Sequence, residues 1–269
     1  MSAADSAPSL LAPDEPPAFT LERPDGRSSW VLLCDHASAA IPRALSGLGL
    51  SETDRQRHIA WDIGIAGVSR YLAAALDATL VLQNWSRLVV DCNRPPQAPD
   101  AIAVSSDGTV IPGNIGLEDA AIAQRRRSIF DPYHAAIRAL LDQRAAAGRP
   151  VRLLMMHSFT PIFGGVARPW QIGVLYGRDA RLASILMSQL RRDPELTVGD
   201  NQPYDVSDAT DYAVPVHGEA RALPHVELEI RQDLIESPSA QPDWARSLQA
   251  TLEACETQIA ALDKPRSAR

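Results

Sequence analysis

The apolar runs of this chain are short, unbroken and end on polar residues, and this constrains its fold more than any other feature. Residues 30–34 read WVLLC and lead into Asp35 and His36; residues 153–156 read LLMM and lead into His157 and Ser158. A strand with one wet face alternates apolar and polar residues, whereas a strand covered on both faces reads as a continuous run. The segments ATLVLQ (78–83), RLVVDC (87–92), QIGVLY (171–176) and HVELEIR (225–231) extend the set. Helical patterns separate them, so the sequence predicts an α/β fold, a sheet sandwiched between helices. In open sheets of that kind, sites form in the crevice beyond the carboxyl ends of strands. His36 and His157 both fall at such ends.

Local signals fill in the elements. Ser51–Asp54, SETD, resembles a capping box, and behind it Ile59, Ile63, Ala66 and Leu72 keep a helical stripe. The short connection at Asn84 and Trp85 predicts an antiparallel hairpin between ATLVLQ and RLVVDC. Residues 117–148 read as helix, interrupted or restarted at Asp131-Pro132 and stopped by Gly148. Asp179 is placed as the N-cap of a helix over DARLASILMSQLRR, and Trp244, Leu248, Leu252, Cys255 and Ile259 mark a C-terminal amphipathic helix. Residues 1–17 and 263–269 read as loose tails around a single catalytic domain over 18–262.

Of the 269 residues 45% are hydrophobic and 22% charged, ample for a sizeable core. A net charge of -7 argues against a general partner among nucleic acids or anionic membranes, but leaves room for a small anionic substrate met by local arginines. Cys34, Cys92 and Cys255 are odd in number, widely spaced and set in apolar surroundings, which predicts buried reduced thiols and no thiolate metal site. The N-terminus lacks a basic, apolar leader, and no stretch approaches the roughly 20 apolar residues of a membrane span. The expected location is cytoplasmic.

Two histidines at strand ends suggest a metal site. A catalytic zinc takes three protein ligands, and with no thiolate placed to help, two imidazoles and a carboxylate form the natural set. His36 and His157 supply the imidazoles. Asp35 adjoins His36, but neighbouring strand residues point to opposite faces, which fits it to orienting a histidine. Asp62, within the apolar register of HIAWDIG, must be paired, metal-bound or on a crevice wall, because burying it alone is costly. It is the candidate third ligand. Glu227 and Glu229 share one strand face, and either suits the base of metal-assisted hydrolysis, the other pairing with Arg231 or Arg221. SRLVVDCNRPP sets Arg87, Asp91, Asn93 and Arg94 at an irregular loop, and Arg168 lies in the Gly-rich GGVARPWQ. Arginine suits bidentate carboxylate recognition, so the group points to an anionic substrate. No G-x-S-x-G, Rossmann, P-loop or H-E-x-x-H pattern occurs.

The segments CDHASAAIP, IAWDIGIAGVSRYLA, WSRLVVDCNRP, MHSFTP, DNQPYD and LPHVELEIRQDLI, in this order through about 30–235, resemble the N-formylglutamate amidohydrolase family. That family is similar at a distance to zinc carboxypeptidases and aspartoacylases. The resemblance implies a mixed central sheet flanked by helices on both faces, one Zn2+ per chain, and hydrolysis of N-formyl-L-glutamate to formate and glutamate, the last step of one histidine-degradation route. It matches His36 and His157 to the histidine ligands. Asn93-Arg94 resembles a pair that holds a substrate carboxylate, and Glu229-Ile230-Arg231 resembles the segment that carries the general base, which selects Glu229 over Glu227. The carboxypeptidases place a glutamate ligand three residues after the first histidine; Ala39 stands there in this chain, and Asp62 is taken to replace it. On this reading Arg87 stabilises the oxyanion, Arg168 takes a second carboxylate, and His217 either reaches the pocket or stabilises its loop. The alternatives are an amidase or carboxypeptidase acting on peptide-like material, and a binding protein of the same fold without catalysis.

Overall fold

The computed structural model describes residues 9–263. Seven strands form one sheet: β1 (Phe19–Glu22), β2 (Trp30–Cys34), β3 (Thr79–Gln83), β4 (Arg152–Phe159), β5 (Ile172–Leu175), β6 (Val198–Asp200) and β7 (His225–Arg231). Their order across the sheet is β1-β3-β2-β4-β7-β5-β6. The central strands β3, β2, β4 and β7 run parallel, whereas β1 and the β5-β6 pair run against them. This is the α/β sheet that the continuous apolar runs predict, with the mixed strand directions that the family resemblance implies.

Both faces are covered, which is why β2 and β4 are buried along their whole lengths. Leu32, Leu154 and Leu228 face one core with Leu72 of α1 (Ile65–Leu76). Val31, Leu33, Leu153 and Met155 face the other, packed with Tyr133, Ile137 and Leu141 of α2 (Asp131–Ala146). Leu186 of α3 (Arg181–Leu190) and Leu248 of α4 (Gln241–Ala254) complete the first core. Each such side chain contributes about 1.5–3 kcal/mol by leaving water. The three cysteines are buried and unpaired, as their surroundings suggest. No helix among the described residues is long and apolar enough to cross a membrane.

Several local expectations are corrected. RLVVDC is not a strand: Val89 N–H bonds to the Ser86 carbonyl at 2.9 Å, while Asn114 Nδ2 and Arg125 Nη1 donate to the Leu88 and Val89 carbonyls at 2.9 and 3.1 Å. Side chains thus take the place of a ladder and keep this buried segment irregular. The stripe behind Ser51 is not one helix. Ser51 caps only Glu52–Arg55, and α1 starts after a turn at Gly64. Gly64 has φ +83°, and a Cβ there would lie 2.2 Å from the Ile235 carbonyl oxygen, so the turn requires glycine. Residues 117–148 form a helix (Asp119–Arg125), a wide turn (Arg126–Phe130) and α2, whose second residue is Pro132. Asp179 lies one residue outside the N-cap position, with its carboxylate accepting from Arg181 N–H at 3.2 Å. Leu10 is buried and its N–H donates to Ser128 Oγ at 3.2 Å, so packed structure begins well before Ala18. The remaining expected tail residues, 1–8 and 264–269, lie outside the described residues.

Candidate metal centre and active site

The adjacent parallel strands β2 and β4 set the site. Chain leaving β2 delivers Asp35 and His36, and His157 lies two residues before the end of β4. Asp62 comes from the turn before α1, not from a helix. Its N–H donates to the His36 carbonyl at 3.0 Å, which pins the turn against the end of β2. Asp62 Oδ2 lies 3.4 Å from His36 Nδ1 and 2.9 Å from His157 Nδ1, and it accepts from Ser158 N–H at 3.1 Å. All three residues are buried, and one ligand atom from each falls within 4.8 Å of the others.

The far sides of the two rings are organised alike. His36 Nε2 meets Asp91 Oδ1 at 2.8 Å, and His157 Nε2 faces Asp35 Oδ2 at 3.7 Å. Asp35 is fixed by the Tyr133 hydroxyl, which donates to its Oδ1. Metal-ligating histidines generally show a carboxylate or carbonyl behind the ligand nitrogen, which sets tautomer and basicity. Here both Nδ1 atoms converge on one Asp62 oxygen while both Nε2 atoms look outward at carboxylates, so the residues fit a divalent cation. Burial opposes ionisation of Asp62, but the imidazoles of His36 and His157 overcome it and hold its carboxyl below the usual range.

Glu229 lies beside His157 in the β4-β7 register, and Glu227 beside Met155, so both glutamates share the His157 face. Each has a buried Oε2 without a hydrogen-bond partner. Neither candidate arginine neutralises them, because Arg231 pairs with Asp233 and Arg221 with Asp142, at 2.8 and 2.7 Å. Burial pushes the Glu227 carboxyl up to about 7 and the Glu229 carboxyl well above its ordinary value. Gly173 of β5 stands opposite Glu229, and a Cβ at Gly173 would come within 3.3 Å of the Glu229 Cβ and 2.0 Å of the Gln202 carbonyl.

The irregular loop after β3 supplies the next layer. Arg87 clamps Asp91 Oδ2 through Nε and Nη2 at 2.9 and 2.7 Å, and its Nη1 lies 3.7 Å from Asp62 Oδ1. Asn93 N–H donates to Asp91 Oδ1 at 2.8 Å, and Asn93 Oδ1 accepts from the N–H groups of Tyr212 and Ala213 at 3.1 and 3.0 Å. Only the amide NH2 of Asn93 is left for a ligand. Arg94 Nε donates to Asp100 at 2.9 Å, and its Nη1 to the Thr210 carbonyl.

His36, Asp62, His157, Arg87, Asn93 and Arg94 all line one cavity of about 560 Å3, as do Glu227 and Glu229. Two expected residues are not in its lining. His217 is buried against His134, with His217 Nε2 and His134 Nδ1 2.9 Å apart, and burial depresses the two imidazoles to about 3 and about 4. The apolar packing that makes PVHGEA fold inward hides His217 from the cavity. Arg168 is stacked among Phe159, Phe163 and Tyr204, because aromatic faces offer its guanidinium a closer partner than the cavity does. Conversely, His58, Phe163 and Tyr204 line the cavity without having been singled out. Tyr204 falls within the segment DNQPYD, whereas His58 and Phe163 only flank IAWDIGIAGVSRYLA and MHSFTP.

The chain is similar to known proteins over most of its length. A family profile described as N-formylglutamate amidohydrolase matches residues 28–236. The crystal structure of a gene product from Agrobacterium tumefaciens superposes with a TM-score of 0.90 at 36% identity, covering 93% of this chain and 99% of that one. The crystal structure of N-formylglutamate amidohydrolase from Ralstonia eutropha JMP134 superposes with a TM-score of 0.59 at 19% identity, covering 91% of this chain and 99% of that one, a likeness of fold. No curated protein matches significantly. The profile match spans the site from His36 to Glu229, and the chain belongs to the N-formylglutamate amidohydrolase family.

Proposed function

We propose that the chain is a zinc-dependent hydrolase of the amide C–N bond in N-formyl-L-glutamate or a related N-acyl amino acid. The observation that carries this reading is the convergence of two imidazole Nδ1 atoms on Asp62 Oδ2, with Asp91 and Asp35 behind the rings. His36, Asp62 and His157 would hold the ion, which would supply Lewis acidity at the amide carbonyl and at water. The chain's own residues carry the proton and the charge. Glu229, beside His157 in register, takes a proton from the water that attacks the carbonyl carbon, and burial makes it a stronger base than an exposed glutamate. It then delivers that proton to the amide nitrogen as the C–N bond breaks, releasing formate and the free amine. Arg87 Nη1, close to Asp62, offers a fixed positive group to the developing oxyanion. Arg94 and the Asn93 amide hold a substrate carboxylate.

The test is formate release from N-formyl-L-glutamate by zinc-loaded and chelator-stripped protein, with N-acetyl-L-glutamate and a dipeptide in parallel. Zinc content is measured on the wild type and on His157→Ala. The expected result is metal-dependent hydrolysis, one zinc per wild-type chain and loss of the ion in the variant. A folded protein that binds zinc and hydrolyses none of the substrates would overturn the activity. One that binds no zinc would overturn the metal centre.

A further inference from the structure

The cavity is larger and less cationic than a small dicarboxylate requires. Its volume of about 560 Å3 is within the range that accommodates drug-sized ligands. Among the described residues, the arginines in its lining are Arg87 and Arg94, and both are already engaged by carboxylates. The lining also includes Asp205 and Asp211 beside Asp100 and Asp107, which are paired with Arg94 and Arg57, so its carboxylates outnumber its arginines.

The residue expected to bind that second carboxylate does something else. Arg168 N–H donates to the Pro161 carbonyl at 2.8 Å, closing the base of the small hairpin formed by Ile162–Phe163 and Val166–Ala167. Its guanidinium carbon sits 4.7 Å from the Phe163 ring centre and 4.8 Å from that of Tyr204, and Nη1 donates to the Tyr204 hydroxyl at 2.9 Å. The arginine therefore joins the hairpin after β4 to the loop after β6 through two aromatic rings. Both rings line the cavity and remain 44% and 42% exposed, so they present apolar surface that a ligand would cover. Tyr204 also feels the charges of Glu229 and Arg87, which sets this wall next to the reacting centre.

We propose that Phe163 and Tyr204, braced by Arg168, form the specificity wall of the cavity and receive the apolar side chain of an N-formyl or short N-acyl amino acid that carries a single carboxylate. This rests on the amidohydrolase reading above. The single carboxylate goes to Arg94 and the Asn93 amide, and the side chain lies against the rings. Arg168 is a positioning residue.

The experiment compares kcat/KM for N-formyl-L-phenylalanine and N-formyl-L-glutamate on zinc-loaded wild type, Phe163→Ala and Arg168→Gln, with calorimetric binding of both compounds to the same proteins. The wild type is expected to favour the phenylalanine compound by about tenfold or more, the scale on which apolar pockets discriminate. Phe163→Ala should lower that preference about tenfold. Arg168→Gln should lower it through KM, with kcat held. Preference for the glutamate compound, or its selective loss in Arg168→Gln, would show Arg168 to be a carboxylate clamp and overturn the proposal. If neither compound is hydrolysed, the amidohydrolase reading fails, and the calorimetry decides the wall separately. Tighter binding of the phenylalanine compound, weakened in Phe163→Ala, supports it; equal or tighter binding of the glutamate compound overturns it.

Discussion

Asp91→Asn isolates the outer partner of one histidine without touching a ligand. Asp91 accepts from Asn93 N–H at 2.8 Å, from Arg87 at 2.7 and 2.9 Å, and meets His36 Nε2 at 2.8 Å. An amide keeps the shape but must present an NH2 group either to the Arg87 guanidinium or to His36, and it removes the charge that Arg87 neutralises. Removing a carboxylate behind a ligating histidine typically weakens metal affinity about 10–100-fold, about 1.4–2.7 kcal/mol. Leaving Arg87 with only Asp62 at 3.7 Å adds a stability loss below the ~3–5 kcal/mol of a broken buried ion pair, because a quarter of the Arg87 side chain is exposed in the cavity and can be solvated there. Asp35 faces its histidine at 3.7 Å, too far for a hydrogen bond, so Asp35→Asn should weaken zinc less than Asp91→Asn. Competition against a chromophoric chelator measures the zinc constants, and thermal melts of the stripped proteins give the stability change. Wild-type zinc affinity in a folded Asp91→Asn variant, or the reverse ranking of the two variants, would refute the argument that these carboxylates organise the metal site.

Glu229→Gln should reduce kcat by about 10²–10⁴ while leaving the thermal melt near that of the wild type, as read by formate release and circular dichroism. Arg125→Met removes donors to the Val89 and Gly113 carbonyls and to Asn114 Oδ1, and should cost about 3–5 kcal/mol in urea titrations, with activity falling because this loop carries Arg87 and Asp91. His134 and His217 stay neutral when folded, with pKa values depressed to about 4 and about 3, whereas in the unfolded chain they protonate near 6.5. Their contribution is therefore complete above about pH 6.5 and is lost as pH falls toward 4 and then 3, at up to about 1.4 kcal/mol per pH unit for each histidine. Urea midpoints between pH 7 and 4 should fall less steeply in a folded His217→Gln variant.

The sheet was legible because burial on both faces leaves a mark in composition: Trp30–Cys34 and Leu153–Met156 carry it within a few residues. RLVVDC carries the same mark and is not a strand, because what distinguishes it is the reach of Asn114 and Arg125, more than twenty residues away. His36 and His157 were readable from their positions at strand ends, and Asp62 from a charge set in an apolar register. The reason Asp62 arrives at the site was not readable, since it depends on a left-handed turn at Gly64 packed against Ile235. Asp91 was visible as a polar residue in a loop, but its pairing with His36 joins positions 55 apart with no local signature. Arg168 shows the limit most plainly. A guanidinium in a Gly-rich loop advertises charge, and only the fold decides whether it faces a ligand or a pair of rings.

The order of strands has a consequence for how the chain matures. β2, β4 and β7 lie side by side although residues 36, 157 and 229 are separated by more than seventy positions at each step, and parallel neighbours of this kind close only after long loops have been ordered. A chain in which β2 and β4 have not yet paired therefore cannot present His36, Asp62 and His157 together. An ion held by all three would recognise the paired strands and not the open chain, and at a thousandfold excess over its Kd would add about 4.1 kcal/mol to the folded state. Metal occupancy would then report the pairing of β2 with β4, and withholding the ion would lengthen the time during which these strands are open to aggregation.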